Sequence, residues 1–318
     1  MFADDTNLFI DSTSHSEAID KANEILTKLK KYLEANFLHI NVSKSKYILF
    51  QSPRRQNTSL LQNGPVFGTK PLARVEDIKF LGITIDHRIS WNKHILAVSN
   101  KLRSSIAELW IMRKVLPEKL KINVYNALVN SQLTYAIPVW GGFASHDSLK
   151  PLFLLQKRAL RNLFSIKRES KHVKGHTKGK FNELSILTVY NLYNYATLLH
   201  LAKLIILKEP AILCKLMKLS LSDLRSNRIF LPCLKLNHYL NNFCYLGPKL
   251  WNLLCSSPSY CNSITTAPSL TSLKSRLKRL LQKMQFYGQD SEWLTVNNCL
   301  ELYLTTIKSD PYNNQPES

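Results

Sequence analysis

The chain has 318 residues, enough to bury a substantial core in two or three domains. Its 43 Lys and Arg residues outweigh 22 Asp and Glu residues, which gives a net charge of +21. This charge favours nucleic acid as a partner, with an anionic membrane surface or simple solubility as alternatives. The sequence contains no long uncharged apolar run and no leader of basic then apolar residues. We therefore expect an intracellular protein, nuclear or cytoplasmic, with no membrane partner.

The six cysteines argue against a metal finger. They are widely scattered, with no Cys-x-x-Cys pair and no histidine at finger-like spacing. We expect reduced, mostly buried thiols and no structural zinc.

The first element places two carboxylates side by side. Phe2-Ala3-Asp4-Asp5 precedes the apolar run Leu8-Phe9-Ile10, which is typical of a strand. Neighbouring strand residues point to opposite faces, so Asp4 and Asp5 approach one site only at the tip of a tight hairpin. Such a tip could hold a metal ion, with Asp4 as the direct ligand and Asp5 as a second or weaker one. A solvated turn is the alternative.

A helix and two strands are predicted next. Ser14 and Glu17 have the spacing of a capping box, and apolar residues recur at helical spacing as far as Phe37. The stretch 38–50 becomes apolar and aromatic, as in a strand, and residues 78–86 form a second strand that contains Gly82. A loop rich in Pro, Arg, Asn and Gly separates the two strands.

Two helices with basic residues follow. Residues 93–116 place Ile95, Val98, Leu102, Ile106 and Leu109 on one face. A second helix should begin near Pro117 and end before Pro138. The basic side chains of this region and of the later helix around residues 155–161 are phosphate candidates or a solvated face. They are Lys101, Arg103, Arg113, Lys114, Lys157, Arg158 and Arg161.

The remaining segments are mostly helical by pattern. Residues 167–180 form a basic loop that could bind phosphate. Residues 184–207 are apolar almost all round, which predicts a buried helix in preference to a base-stacking surface. A basic amphipathic segment runs over residues 273–283, and the residues after about 308 should be disordered.

The order of these pieces resembles a known family. An Asp-Asp hairpin, a helix, Asn41-x-x-Lys44-x-Lys46 and Phe80-Leu81-Gly82-x-x-x-Asp86 resemble the palm motifs of non-LTR (LINE-type) retrotransposon reverse transcriptases, from the catalytic hairpin onward. The resemblance continues at residues 90–95, 135–141, 155–161 and 245–252.

The resemblance implies roles for individual residues. It implies that Asp4 and Asp5 are catalytic and hold Mg²⁺, with Lys44 as a catalytic charge partner or proton donor near the incoming triphosphate. It also implies that Phe80, Leu81 and Gly82 position the primer end. By the residues alone, a solvated lysine is the favoured interpretation of Lys44, and core packing explains most side chains of the strand around Phe80, with Gly82 the functional exception.

The implied fold is α+β. A partial polymerase palm, a small antiparallel sheet plus a helix, should cover residues 1–90. A helical thumb should cover 91–145, a basic and mostly helical tail 146–308, and a disordered end 309–318. The corresponding function is part of an RNA-directed DNA polymerase that uses an RNA template and a DNA primer.

We expect that this chain alone is inactive, since the resemblance leaves the fingers and the first catalytic aspartate strand unaccounted for. A non-catalytic nucleic-acid-binding relic and an unrelated helical interaction module are the alternatives. The sequence leaves the oligomeric state open.

Overall fold

A computed structural model describes residues 6–50, 64–144, 146–166, 177–207, 210, 213, 229–231, 242–267 and 269–283. The chain divides into two compact units, Met1–Ser90 and Trp91–Ser318. Among the described residues, helices dominate and strands are few and short. The α+β class is therefore confirmed at this level, and no described helix is long and apolar enough to cross a bilayer.

The smaller unit begins with helix α1, His15–Ala35. Ser14 caps it as predicted, because its side chain accepts a hydrogen bond from the Glu17 amide at 3.2 Å. The Glu17 carboxylate turns instead to the Ser12 and Thr13 hydroxyls, at 2.6 and 3.0 Å, and to Lys21. The hydrogen bond from Ser12, followed by that from Lys21, lowers the pKa of Glu17 to about 2.

The described part of the smaller unit also contains three two-stranded sheets. Their strands are β1 Lys46–Tyr47, β2 Val66–Phe67, β3 Lys70–Pro71, β4 Ala73–Arg74, β5 Asp77–Phe80 and β6 Ile83–Asp86. Pairs β2–β3 and β5–β6 are antiparallel, whereas β1–β4 is parallel. The prediction of one small antiparallel sheet is corrected accordingly. Helix α1 joins this arrangement through Asn23, whose Oδ1 accepts from the Val66 amide at 2.8 Å.

Three strand predictions were wrong in extent. Residues 6–12 have no strand pairing, and only Lys46–Tyr47 of the predicted strand 38–50 is paired. Residues 78–86 form a hairpin instead of one strand, because Leu81 and Gly82 both adopt positive φ, 45° and 81°, between β5 and β6. Two consecutive left-handed residues reverse the chain as a tight two-residue turn.

The larger unit is helical in its described part. Its helices are α2 Asn92–Met112, α3 Glu118–Tyr125, α4 Ser131–Thr134, α5 Ile137–Trp140, α6 His146–Leu163, α7 Lys178–Glu183, α8 Val189–Leu207, α9 Phe243–Leu254, α10 Pro258–Thr265 and α11 Leu270–Lys283. A single π-helical segment, Asn126–Asn130, connects α3 to α4 without a break.

Two helices organise the core of this unit. Helix α2 packs along α6, and α8 packs against α5, α9 and α11. Tyr190 and Tyr193 of α8 are fully buried, as the prediction of a buried helix requires. The predicted regions 91–145 and 146–308 thus share one compact unit, and their separate thumb and tail identities stay predictions.

Gln156 connects three elements inside this core. Its Nε2 donates to Tyr125 Oη at 3.1 Å and to the Leu187 carbonyl at 2.9 Å, while its Oε1 accepts from the Val189 amide at 3.0 Å. The side chain is completely buried. It therefore links α6 to α3 and to the start of α8 with all three contacts made in a water-poor environment.

Candidate nucleic-acid interface

The buried face of α2 fixes which of its basic residues reach solvent. Ile95, Val98, Leu102, Ile106 and Leu109 are all buried, as the periodicity predicts. Lys101 and Arg103 are exposed on the same helix. On α6, Leu152, Ala159 and Leu160 are buried and Arg158 is exposed. Packing of α2 along α6 therefore leaves arginines on the rims of the seam between them.

A groove of about 480 Å³ lies along this seam. Helices α2 and α6 contribute its lining, which consists of Arg103, Ile106, Ala107, Trp110, Ile111, Arg158 and Asn162. Among the residues that the structure describes, this lining contains two guanidinium groups and no carboxylate. Its charge therefore suits an anionic ligand, and its apolar part suits the flat faces of a ring.

Trp110 is the large aromatic side chain of this groove. It remains 54% exposed near the end of α2. The guanidinium of Arg113 lies 4.2 Å from the centre of its ring, and Arg113 also donates a hydrogen bond to the Trp110 carbonyl. This cation–π contact holds the indole in one orientation at the surface.

The other predicted phosphate contacts do not line the groove. Lys101, Lys114 and Arg161 are absent from its lining. Lys157 lies with its Nζ 4.2 Å from the centre of the Phe153 ring. Burial lowers the pKa of Lys157, and the charge of Arg161 lowers it further. Of the seven predicted basic residues, the structure brings Arg103 and Arg158 into one groove and places Arg113 against its tryptophan.

In the smaller unit, the predicted primer-positioning residues form the β5–β6 turn. Phe80 ends β5, and Leu81 and Gly82 make the turn, where Leu81 is 41% exposed. The Phe80 ring contacts the ring of Phe9 edge to face, with 6.2 Å between centres. The segment that follows the acidic pair therefore lies against this hairpin.

Lys44 is placed in a turn and not in a strand. Its amide donates to the Asn41 carbonyl at 3.1 Å, and Asn41 Oδ1 also accepts from Ser43 Oγ at 2.6 Å. An asparagine that bonds its own following residues favours such a turn over a strand. The Lys44 side chain is exposed, and its catalytic role stays a prediction.

The predicted metal ligands Asp4 and Asp5 lie outside the described residues. Within the described part of the chain, no group of three or more His, Cys, Asp or Glu side chains is arranged to hold a metal ion. Among the described cysteines, Cys261 is buried, Cys244 and Cys255 are half-buried, and Cys261 Sγ donates to Cys255 Sγ at 3.0 Å. The basic loop is described only from residue 177 onward, and the end 309–318 lies outside the described residues.

Sequence reasoning missed Trp110 and Ile111. Both follow Leu109, the last residue of the buried face, and a step of one or two residues turns a helical side chain away from that face. A tryptophan off the apolar face, with an arginine three positions later, was the available signal. That Trp110 lines the same groove as Arg158 of α6 can be seen only in the tertiary structure.

Comparison with known proteins identifies relatives over half of the chain. It is 27% identical over 165 residues to the RNA-directed DNA polymerase from mobile element jockey of Drosophila funebris, and 26% identical over 165 residues to that of Drosophila melanogaster. It is 24% identical over 164 residues to a probable RNA-directed DNA polymerase from transposon X-element of Drosophila melanogaster. These matches cover 50 or 51% of the chain and 17% of each relative.

No family model and no solved structure matches the chain. The curated relatives are non-LTR retrotransposon RNA-directed DNA polymerases, and the matched part amounts to about a sixth of their length. The family resemblance predicted from the motif order is confirmed at this level.

Proposed function

We propose, given homology to non-LTR retrotransposon RNA-directed DNA polymerases, that this chain supplies part of such an enzyme. In this proposal the smaller unit corresponds to part of the palm, and residues 91–145 of the larger unit, from α2 to α5, correspond to the thumb. The partners are an RNA template and a DNA primer. An intracellular location, nuclear or cytoplasmic, belongs to the same proposal.

The contact between Phe9 and Phe80 is the observation that supports this proposal best. Phe9 follows Asp5 by four residues in the sequence, and Phe80 begins the turn formed by Leu81 and Gly82. The edge-to-face contact at 6.2 Å joins the segment after the acidic pair to the hairpin that the resemblance assigns to the primer end. A polymerase needs its metal ligands beside the primer hydroxyl, so this juxtaposition fits the chemistry.

Mg²⁺ fits the chemistry of the acidic pair. It prefers carboxylate oxygens and usually keeps several waters and substrate phosphates as its other ligands. When bound, it would activate the primer hydroxyl and stabilise the leaving pyrophosphate. Asp4 would bind it directly, Asp5 would be the second or weaker ligand, and Lys44 would balance the charge of the triphosphate.

We also propose that the 318-residue chain by itself does not extend a primer. Two divalent ions require carboxylates that converge from several backbone segments, and the proposal assigns only Asp4 and Asp5 to them. The expected result is no magnesium-dependent extension of a DNA primer on an RNA template. Extension that Asp4→Asn abolishes would contradict this part of the proposal.

Paramagnetic broadening by Mn²⁺ tests the metal site without an activity assay. Added to the full chain in an NMR experiment, Mn²⁺ should broaden the signals of Phe9, Phe80 and Gly82 before those of the larger unit. The variant Asp4→Asn/Asp5→Asn should lose this selectivity. Asp20→Asn, which removes an exposed carboxylate from α1, should retain it.

The same experiment separates the proposal from a non-catalytic relic. A relic whose acidic pair has lost its role predicts identical broadening in the wild type and in Asp4→Asn/Asp5→Asn. Broadening that is confined to other carboxylates would contradict the proposed metal site.

A further inference from the structure

We infer that the groove between α2 and α6 binds an unpaired nucleic-acid base, with Trp110 as the stacking surface and Arg103 and Arg158 as the phosphate contacts. This inference rests on the proposed function and narrows it. It names single-stranded nucleic acid, in place of the paired duplex alone, as a ligand of the larger unit.

Trp110 lines the groove with an indole ring that is largely exposed to solvent. A tryptophan side chain gains from burial, yet this one keeps 54% of its surface exposed in a unit that buries Trp140 completely. The Arg113 guanidinium, 4.2 Å from the ring centre, occupies one side of the indole. The opposite side is the surface on which a base can stack, and the ring loses little additional freedom when it does.

Two arginines line the groove beside the Trp110 ring. Arg103 lies on α2 and Arg158 on α6, so the two charges approach the groove from different helices. Arg103 Nη1 donates to Asn100 Oδ1, which restrains its guanidinium on the rim. A restrained guanidinium group on one helix and a second guanidinium group on the other, beside an aromatic ring, match a nucleotide, which joins a flat base to a phosphate.

The groove has an apolar wall and enough volume for a small ligand. Ile106, Ala107 and Ile111 line the groove beside Trp110, and Asn162 adds an amide that can bond the edge of a base. A volume of about 480 Å³ is within the range of pockets that hold small organic ligands. The groove is therefore of a size suited to one nucleotide.

Charge favours this occupant over a second copy of the chain. The chain carries a net charge of +21, so two copies repel each other at long range. An apolar protein segment would bury Arg103 and Arg158 without a partner charge, since none of the described residues that line the groove carries a carboxylate. A polyanion with exposed rings satisfies both features.

The test measures binding of the full chain to fluorescently labelled oligo(dT) by anisotropy, with a matched strand of abasic residues as the comparison. Stacking of a base predicts that Trp110→Ala weakens oligo(dT) binding about 5- to 150-fold. The affinity for the abasic strand should not change. Trp110→Phe, which keeps an aromatic ring, should stay close to the wild type.

The arginine variants supply the second half of the test. Arg103→Gln and Arg158→Gln should each weaken both strands and reduce the slope of log affinity against log salt by about 0.7. Arg279→Gln is the matched control, since it removes an equal charge from exposed α11 outside the groove. Its effect should be clearly smaller at each salt concentration.

Several results would overturn the inference. One is equal wild-type affinity for oligo(dT) and the abasic strand, which needs no variant and so remains decisive if Trp110→Ala fails to fold. Another is an unchanged affinity for oligo(dT) in folded Trp110→Ala. A third is a Trp110→Ala chain that keeps its affinity for oligo(dT) but no longer associates with itself. Salt-dependent duplex binding without base-dependent binding would refute the stacking site alone, whereas no salt-dependent binding to any nucleic acid would refute the proposed function as well.

Discussion

Leu81 occupies a backbone conformation that its side chain does not favour. Its φ of 45° places a branched, bulky residue in the left-handed region, followed by Gly82 at 81°. Asn-Gly is the sequence that such a two-residue turn prefers. Strain of this kind is retained where the surrounding structure or the function requires it, and the exposed Leu81 side chain fits the proposed primer contact.

Replacement of Leu81 by Asn should stabilise the smaller unit by about 1 kcal/mol, because Asn tolerates positive φ. The measurement is the free energy of opening of the β5–β6 amides by native-state hydrogen exchange. Leu81→Ala is the control, since alanine keeps the backbone penalty and should bring no gain. A destabilised Leu81→Asn would mean that packing of the Leu81 side chain outweighs its backbone strain.

At the scale of the elements, Gln156 connects α6 to α3 and to the start of α8 through side-chain hydrogen bonds. Gln156→Leu would leave Tyr125 Oη, the Leu187 carbonyl and the Val189 amide without this partner in a buried site. The expected loss is about 3 kcal/mol, measured by urea unfolding followed through the circular dichroism of the helices.

Gln132→Leu is the matched control for that measurement. Gln132 donates from its Nε2 to Ser105 Oγ at 2.9 Å and is half-buried. Its loss should cost about 1 kcal/mol or less. Equal costs for the two variants would show that the buried network around Gln156 adds nothing beyond one hydrogen bond.

The elements also show where sequence reasoning succeeds. The apolar residues of α2 recur over about four turns, so periodicity identified its buried face correctly from Ile95 to Leu109. The Ser14 cap was likewise local and was predicted correctly. The hairpin at Leu81 was missed, because Leu-Gly is a weak turn signal and apolar residues lie close on both sides of it.

The candidate site could be predicted only in part, for a related reason. Charge identified Arg103 and Arg158 individually, but their shared groove depends on α2 packing along α6. The packing of two helices that are distant in sequence cannot be predicted from the apolar pattern of either helix. The prediction of a strand around Lys44 was wrong because Asn41 forms hydrogen bonds with Ser43 and with the Lys44 amide. These local bonds favour a turn more strongly than the apolar residues after Lys44 favour a strand.

At the scale of the whole molecule, the two units differ in the size of their cores. In the described part of Met1–Ser90, the buried aliphatic side chains are Ala22, Leu26, Pro65 and Ile83. The described part of Trp91–Ser318 buries many more, including Trp140, Tyr125 and Tyr190. Stability that depends on buried apolar area should therefore be concentrated in the larger unit.

Hydrogen exchange read by mass spectrometry should resolve this difference. Amides of α1 should exchange through an opening that costs less free energy than the one exposing α6 and α8. The expected order is α1 first, then the two core helices together. Equal protection of α1 and α8 would mean that the smaller unit unfolds only with the rest of the molecule.

The larger unit should also lose stability in mild acid. Burial lowers the pKa of His94 below its usual 6.5, and the nearby charge of Lys101 lowers it further, while its ring lies 5.3 Å from that of Trp140. Below about pH 6.5 the unfolded chain binds a proton that folded His94 rejects, so the stability present above this pH falls as the pH drops.

Thermal unfolding between about pH 7 and pH 5 measures this effect. His94→Gln should reduce the fall in Tm of the larger unit, and His39→Gln, an exposed histidine of the smaller unit, should leave it unchanged. Some pH dependence should persist, because burial and Lys203 lower the pKa of His200 in the same direction. An unaltered pH profile in His94→Gln would contradict the assignment.

The π-helical segment Asn126–Asn130 limits how the length of this chain can change. Tyr125, Val129 and Leu133 are completely buried at intervals of four residues, and the wider turn of the segment keeps this spacing on one side of the rod. Removal of the exposed Ala127 would restore regular winding, and Leu133 would then follow Tyr125 by seven α-helical steps of about 100° each, which still brings it to roughly the same side of the axis. Removal of one residue from a regular helix such as α2 would instead turn every later side chain by roughly 100°, so this segment is where the larger unit can lose one residue and keep its buried face.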